Sequence, residues 1–191
     1  LFRDAEAVQG LRGLADAVLT HDRGIERRVD DSVAIVSLGM PRLMRRARGY
    51  APEPVAIAGS GRVIFASGAQ DKNAFCLVKG NDAFLSGHIG DLGDPKTEAS
   101  YRGEVASFLR LFDAKPEVAA CDLHPDYAST RFAKELGLPI VAVQHHRAHF
   151  ASALAEHKVA GNAIGPGIVL DFSRHLDAVL AVDAEARTAR V

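Results

Sequence analysis

Cysteine is nearly absent from this chain: Cys76 and Cys121 are the only two in 191 residues. No CxxC pair exists, so a cysteine zinc site is excluded. Each thiol sits in an apolar, strand-like run, which favours two buried, reduced side chains over a disulfide or a nucleophile. A cytoplasmic location is therefore expected. Long apolar stretches are lacking as well. None approaches the ~20 residues that span a bilayer, and no membrane partner is expected. Charge of one sign is equally scarce, with 23 Lys and Arg against 24 Asp and Glu, interleaved along the chain. That balance demands neither nucleic acid nor an anionic surface as partner. An initiator methionine is also lacking. Leu1-Phe2-Arg3-Asp4-Ala5-Glu6 resembles neither a signal peptide nor a natural start, and reads as a cut into something longer.

What remains is a globular composition. Apolar residues at 48% and charged residues at 25% exclude a disordered chain. The length allows one large domain, or one and a half ordinary ones, with a real core.

Val8, Leu11, Leu14, Ala15, Val18 and Leu19 recur at a spacing that predicts an amphipathic helix over residues 1–20. A charged stretch, 21–32, leads to a strand at 33–38 and a turn at Gly39-Met40-Pro41. Arg42, Arg45, Arg46 and Arg48 precede Gly49-Tyr50-Ala51-Pro52-Glu53-Pro54. Its two prolines argue for an extended connector and a domain boundary near residues 49–60. Beyond it, residues 63–66, 74–78 and 83–86 predict a three-strand meander. A helix is expected over 97–112. Strands and helices then alternate: a strand at 118–121, a helix at 127–136, a strand at 140–143, a helix bearing histidines, and a strand at 168–170. Alternation of this kind implies right-handed crossovers and parallel strands. Three antiparallel strands followed by parallel βαβ units is the order of an α/β, ribonuclease H-like half-domain, as in actin-like ATPases.

In a parallel sheet, ligands bind beyond the carboxyl ends of the strands. Three of the expected strands end in polar candidates: Asp122 with His124, the pair His145 and His149, and Asp171. The pair lies in Val143-Gln144-His145-His146-Arg147-Ala148-His149-Phe150, where a strand passes into a helix. Residues four apart on a helix share a face at about 6 Å, close enough to hold one metal ion. Neutral imidazole suits Fe, Zn, Ni or Cu. A carboxylate with two imidazoles is a common partial coordination set, and Asp171 stands at the right end of its strand; on local grounds alone it reads as a helix cap. His157 is a weaker candidate, about 12 Å further along the helix than His149. Between the first two meander strands, a glycine turn with Lys72 could cradle phosphate or be an ordinary turn. The arginines 42–48, with Arg27 and Arg28, suit either an anionic ligand or a solvated surface.

Taken together, several segments resemble one family. They are His21-Asp22-Arg23-Gly24-Ile25-Glu26-Arg27-Arg28-Val29-Asp30-Asp31-Ser32-Val33, Leu43-Met44-Arg45-Arg46-Ala47-Arg48-Gly49-Tyr50-Ala51-Pro52, and Lys72-Asn73-Ala74-Phe75-Cys76-Leu77. Ser86-Gly87-His88-Ile89-Gly90-Asp91-Leu92, Cys121-Asp122-Leu123-His124-Pro125-Asp126-Tyr127, Ser129-Thr130-Arg131 and the histidine run continue the match. The set is similar to HypF-type carbamoyltransferases of NiFe-hydrogenase maturation, over residues 1 to about 171.

The resemblance implies a three-stage reaction. An acylphosphatase-like domain hydrolyses carbamoyl phosphate, a YrdC-like domain joins the carbamate to AMP using ATP, and a last domain moves the carbamoyl group from carbamoyl-AMP to the C-terminal cysteine of a HypE-type partner. It places residues 1–55 at the end of the YrdC-like domain, 56–171 in the first half of the actin-like domain, and 172–191 in a divergent tail. His145 and His149 take metal-ligand positions, with Asp171 aligned to a carboxylate ligand; the expected cofactor is a divalent metal, Fe or Zn. Ser32 falls near a nucleotide-binding position, and Lys72 is a further phosphate candidate.

The chain also departs from the pattern. No acylphosphatase module or zinc-finger cysteines are visible. Asp171-Phe172-Ser173-Arg174-His175-Leu176-Asp177 stands where the family has a glycine-rich run, Asp71 where it has an apolar residue, and Gly87 where it has Gln. The last twenty residues read as an out-of-frame or replaced terminus, so a fragment inactive by itself is expected. Two other readings are a non-catalytic partner-binding module or remnant, and a small metal hydrolase built on His145, His149 and Asp171.

Overall fold

The computed structural model describes residues 4–156 except Glu26, Ala58 and Gly59, with the backbone alone for Phe150 and for residues 153–156. Asp171, His157, the strand expected at 168–170 and the tail 172–191 lie outside the described residues.

The N-terminal helix is shorter than its apolar spacing predicts. Helix α1 covers only Asp4–Gly10. Glycine is the least favourable helical residue after proline, and Gly10 and Gly13 interrupt the pattern, Gly13 with φ of +83°. Leu14 and Leu19 beyond it are exposed. Strands β1 (Val33–Ser37) and β2 (Met40–Arg45) form an antiparallel hairpin. Its loop is Leu38-Gly39, with φ of +53° and +75°, the paired positive values that match the twist of a two-residue hairpin. The turn expected at Gly39-Met40-Pro41 therefore lies one residue earlier, and Met40 and Pro41 belong to the strand. A two-stranded ribbon has only edge strands, where proline is tolerated.

A six-stranded sheet follows. The prolines of the connector do not keep it out of the sheet, because Pro54–Ala56 forms β3. The meander is β4 (Ile64–Ala66), β5 (Cys76–Lys79) and β6 (Asp82–Leu85), antiparallel throughout. Helix α2 (Pro95–Leu111) leads to β7 (Val118–Asp122), and α3 (Ala128–Glu135) to β8 (Ile140–Val143). Helix α4 spans His145–Glu156. Sheet order is β3-β6-β5-β4-β7-β8, with β4, β7 and β8 mutually parallel. That is the expected meander followed by parallel βαβ units.

Successive strand residues point to opposite faces, and the two faces carry separate cores. Phe65, Leu77 and Cys121 meet Tyr101, Val105 and Phe108 of α2, and Phe132 of α3. On the other face lie Ile64, Ala66, Cys76, Val78, Leu85 and Ala120. Val141 belongs to that face and also packs with Val143 and Ala148, which brings α4 over it. Cys76 and Cys121 thus occupy opposite faces as buried free thiols. Burial pushes both thiols up from their usual range, the opposite of what a nucleophile needs.

Local chemistry sets the helix starts. Asp94 accepts the Thr97 N–H at 2.9 Å as N-cap of α2, with Pro95 just inside it. The first N–H of α3, on Ala128, donates to the side chain of Gln70 at 2.8 Å. Gln70 sits in the loop between β4 and β5, so that loop is tied to the same end of the sheet as the start of α3.

Candidate metal centre

The parallel strands β4, β7 and β8 all finish at one end of the sheet. Asp122, the last residue of β7, is in register with Val143, the last of β8. Only Gln144 separates Val143 from the helix, and its carbonyl accepts the N–H groups of Arg147 and Ala148. Ala120 and Asp122 are two apart and share a face, the face that α4 covers. The chain therefore folds His145 back over Asp122.

The rings meet there in a short chain of contacts. His145 Nδ1 is 2.8 Å from Asp122 Oδ2, and His145 Nε2 is 3.0 Å from His149 Nε2. The two imidazoles stand edge to face, 4.6 Å between centroids and 79° between planes. A carboxylate oxygen accepts, so a neutral His145 that donates from Nδ1 to Asp122 keeps its lone pair on Nε2. The side chain of Asp122 is 11% exposed, against 50% for His145. Its other oxygen accepts the His124 N–H at 2.9 Å, and its carbonyl accepts from the Thr130 hydroxyl at 3.2 Å. Both carboxylate oxygens are engaged and the backbone of Asp122 is held by Thr130, so the side chain has little freedom to turn away.

Around it, the His124 and Tyr127 rings stack at 4.3 Å and 7°. Burial first, and then the negative charges of Asp122 and Asp71, raise the Tyr127 phenol above its usual pKa. The same negative field favours a cation at this end of the sheet.

The arrangement fits a metal in its donors and spacing. Two ligand atoms each ~2.1 Å from one ion stand roughly 3.0 Å apart at an octahedral right angle and roughly 3.4 Å apart at the tetrahedral angle, and the two Nε2 atoms are 3.0 Å apart. A metal-bound histidine commonly gives its other ring N–H to a carboxylate, as His145 does. Among the described residues no third His, Cys, Asp or Glu completes the set. Asp171 lies outside them.

The other expected residues are placed elsewhere. The Ser32 hydroxyl accepts the Ala47 N–H and donates to the Arg48 carbonyl, both at 2.9 Å, bridging the strand that follows it to the end of β2. Lys72 is exposed in the β4–β5 loop with φ of +49°, and its charge opposes protonation of His88. Within the basic cluster, Arg46 donates to the carbonyls of Tyr50 and Glu53, and Arg48 pairs with Asp31 at 3.5 Å. Arg28 pairs with Asp30 at 3.2 Å. These guanidiniums hold local backbone and neighbouring carboxylates. The tie between Asp122 and His145 is the feature that sequence reading does not reach. Asp122 stands out in the sequence only as a strand-end carboxylate; the signal for its partner is that two neighbouring parallel strands end at the same level.

Comparison with known proteins identifies the family and the fold. Residues 59–156 match the family model of the HypF Kae1-like domain. The chain is 47% identical over 160 residues to carbamoyltransferase HypF of Rhizobium leguminosarum bv. viciae, covering 84% of this chain and 21% of that protein. Carbamoyltransferase HypF2 of Cupriavidus necator is 48% identical over 168 residues, with the same two coverages. Among solved structures, full-length HypF in its phosphate- and nucleotide-bound form superposes with a TM-score of 0.81 at 44% identity, over 85% of this chain and 26% of that one. The fold is thus the expected α/β, actin-like one, and the chain spans about a fifth of the length of its curated relatives. The protein belongs to the HypF family, in which residues 59–156 correspond to the Kae1-like domain.

Proposed function

We propose that this chain carries the metal-bearing half of a carbamoyl-transfer site that serves hydrogenase maturation in the cytoplasm. The observation that carries the reading is the convergence of His145 Nε2 and His149 Nε2 at 3.0 Å, beyond the carboxyl ends of parallel strands. In this reading His145, His149 and Asp171 hold a divalent metal, Fe or Zn. Such a metal, when bound, polarises a carbonyl and stabilises the oxyanion that develops on it. His145 presents its Nε2 lone pair because its Nδ1–H donates to Asp122. The stacked His124 and Tyr127 rings wall the same end of the sheet. The group transferred is a carbamoyl, derived from carbamoyl phosphate and ATP through carbamoyl-AMP, and the acceptor is the C-terminal cysteine thiolate of a HypE-type protein.

The domain division belongs to the same reading: residues 1–55 close a YrdC-like domain, 56–171 form the first half of the actin-like domain, and 172–191 diverge. Ser32 and Lys72 are its nucleotide and phosphate contacts. Transfer requires reactants to be held in register, and the 191 residues by themselves do not turn over.

Grafting tests the reading. Residues 1–156 replace the matching segment of the Rhizobium relative, and carbamoylation of the HypE-type cysteine is followed by intact mass. The graft transfers the carbamoyl group, and the graft with His145→Ala and His149→Ala does not. Equal transfer by both contradicts the reading, and turnover by the isolated 191-residue chain at the relative's rate removes the claim of dependence on the remaining domains.

A further inference from the structure

We infer that Asp122 is a positioning residue of the histidine pair, fixing the tautomer and tilt of His145 so that its bare Nε2 is turned toward His149 Nε2. The inference rests on the metal reading of the pair and adds a residue to it that binds no ion itself. Three observations carry it. The carboxylate is 11% exposed and stands 2.8 Å from His145 Nδ1. Its second oxygen and its backbone carbonyl are engaged by His124 N–H and Thr130 Oγ1, which locks its direction. The strand register of Asp122 with Val143 sets the spacing between the carboxylate and the start of α4 through backbone hydrogen bonds and not through flexible side chains.

Without the carboxylate, a neutral imidazole is free to carry its proton on Nε2, the nitrogen that has to be bare to bind a metal. A carboxylate that orients a metal-bound histidine is typically worth 10–100-fold in metal affinity. Asparagine keeps the size of the side chain. Its amide can turn an N–H toward the ring, which favours the opposite tautomer.

The test uses the full 191-residue chain, stripped of metal and titrated with Zn²⁺ alone. Long-range ¹H–¹⁵N spectra read the tautomer of His145 before metal is added. The expected result is the Nδ1–H form in the wild type. In Asp122→Asn that preference is lost and zinc affinity falls ~10–100-fold, while the thermal midpoint of the metal-free chain stays put. Asp122→Glu, which restores the carboxylate, recovers part of the affinity. An Nε2–H tautomer in the wild type overturns the inference. So does a loss of affinity that merely follows a loss of fold, or equal zinc affinity in wild type and Asp122→Asn. Should His145→Ala/His149→Ala bind zinc as well as the wild type, the metal reading itself fails and takes the inference with it. Asp122→Asn matching a wild type whose zinc binding does need the histidines defeats the inference alone.

Discussion

His145 Nε2 and His149 Nε2 stand 3.0 Å apart while Asp122 Oδ2 holds the far side of the first ring at 2.8 Å. One turn of helix and one strand end are thus coupled through an imidazole. The coupling depends on the sheet beneath it, and several consequences can be measured there.

Gly68 opens the β4–β5 loop with φ of +75°, and a Cβ there would lie 2.2 Å from the Ala74 carbonyl oxygen and 2.8 Å from Asn73 Nδ2. Neither the backbone oxygen nor the buried Asn73 can move cheaply. Gly68→Ala is expected to cost at least ~2 kcal/mol, combining an unfavourable left-handed conformation with a backbone clash. Chemical denaturation of the two proteins measures it, and an unchanged midpoint contradicts the assignment.

Tyr101 sits fully buried on α2 with its hydroxyl donating to the Ser67 carbonyl at 3.0 Å. That carbonyl also accepts from Asn73 Nδ2 at 3.1 Å, so removing the hydroxyl leaves no orphaned acceptor. Tyr101→Phe should therefore lose only about 1 kcal/mol. Phe75 is different in kind, since its ring packs edge-on against Tyr101 and Phe108 at 5.9 and 5.0 Å. Phe75→Ala is expected to cost about 3–5 kcal/mol. Equal losses for the two variants would show that the aromatic cluster does not dominate this core.

Burial, and after it the charge of Arg45, hold the His88 imidazole below its usual pKa; Asp30 opposes this in part, and Arg28 and Lys72 add to it. In the unfolded chain His88 titrates near its ordinary value of ~6.5. Between the lowered folded value and that one, the unfolded state binds more protons, so stability rises with pH across the window and falls on acidification. Unfolding free energy measured from pH 7 down to 5 should decline, and His88→Gln should flatten the slope. A His88→Gln profile parallel to the wild type assigns the decline to other groups.

The strands of the sheet are legible because apolar residues crowd into short runs bounded by glycine, asparagine and aspartate, as in Cys76–Lys79 and Asp82–Leu85. Met40–Arg45 is not legible, since arginines and a proline disguise a strand that needs only one partner. The N-terminal helix fails for the opposite reason: its apolar spacing is good, but Gly10 and Gly13 end it early. At the site, the i, i+4 spacing of His145 and His149 is written in the sequence. The contact with Asp122 spans 23 residues and depends on the register of two parallel strands, which no local pattern encodes.

Metal content of the purified 191-residue chain, measured beside His145→Ala/His149→Ala, bears most directly on the central claim. The account predicts one tightly held divalent ion per wild-type chain and none in the variant, with the fold of both intact by circular dichroism. Equal metal content in the two proteins, or a well-folded wild type that takes up no Fe²⁺ or Zn²⁺, would contradict it.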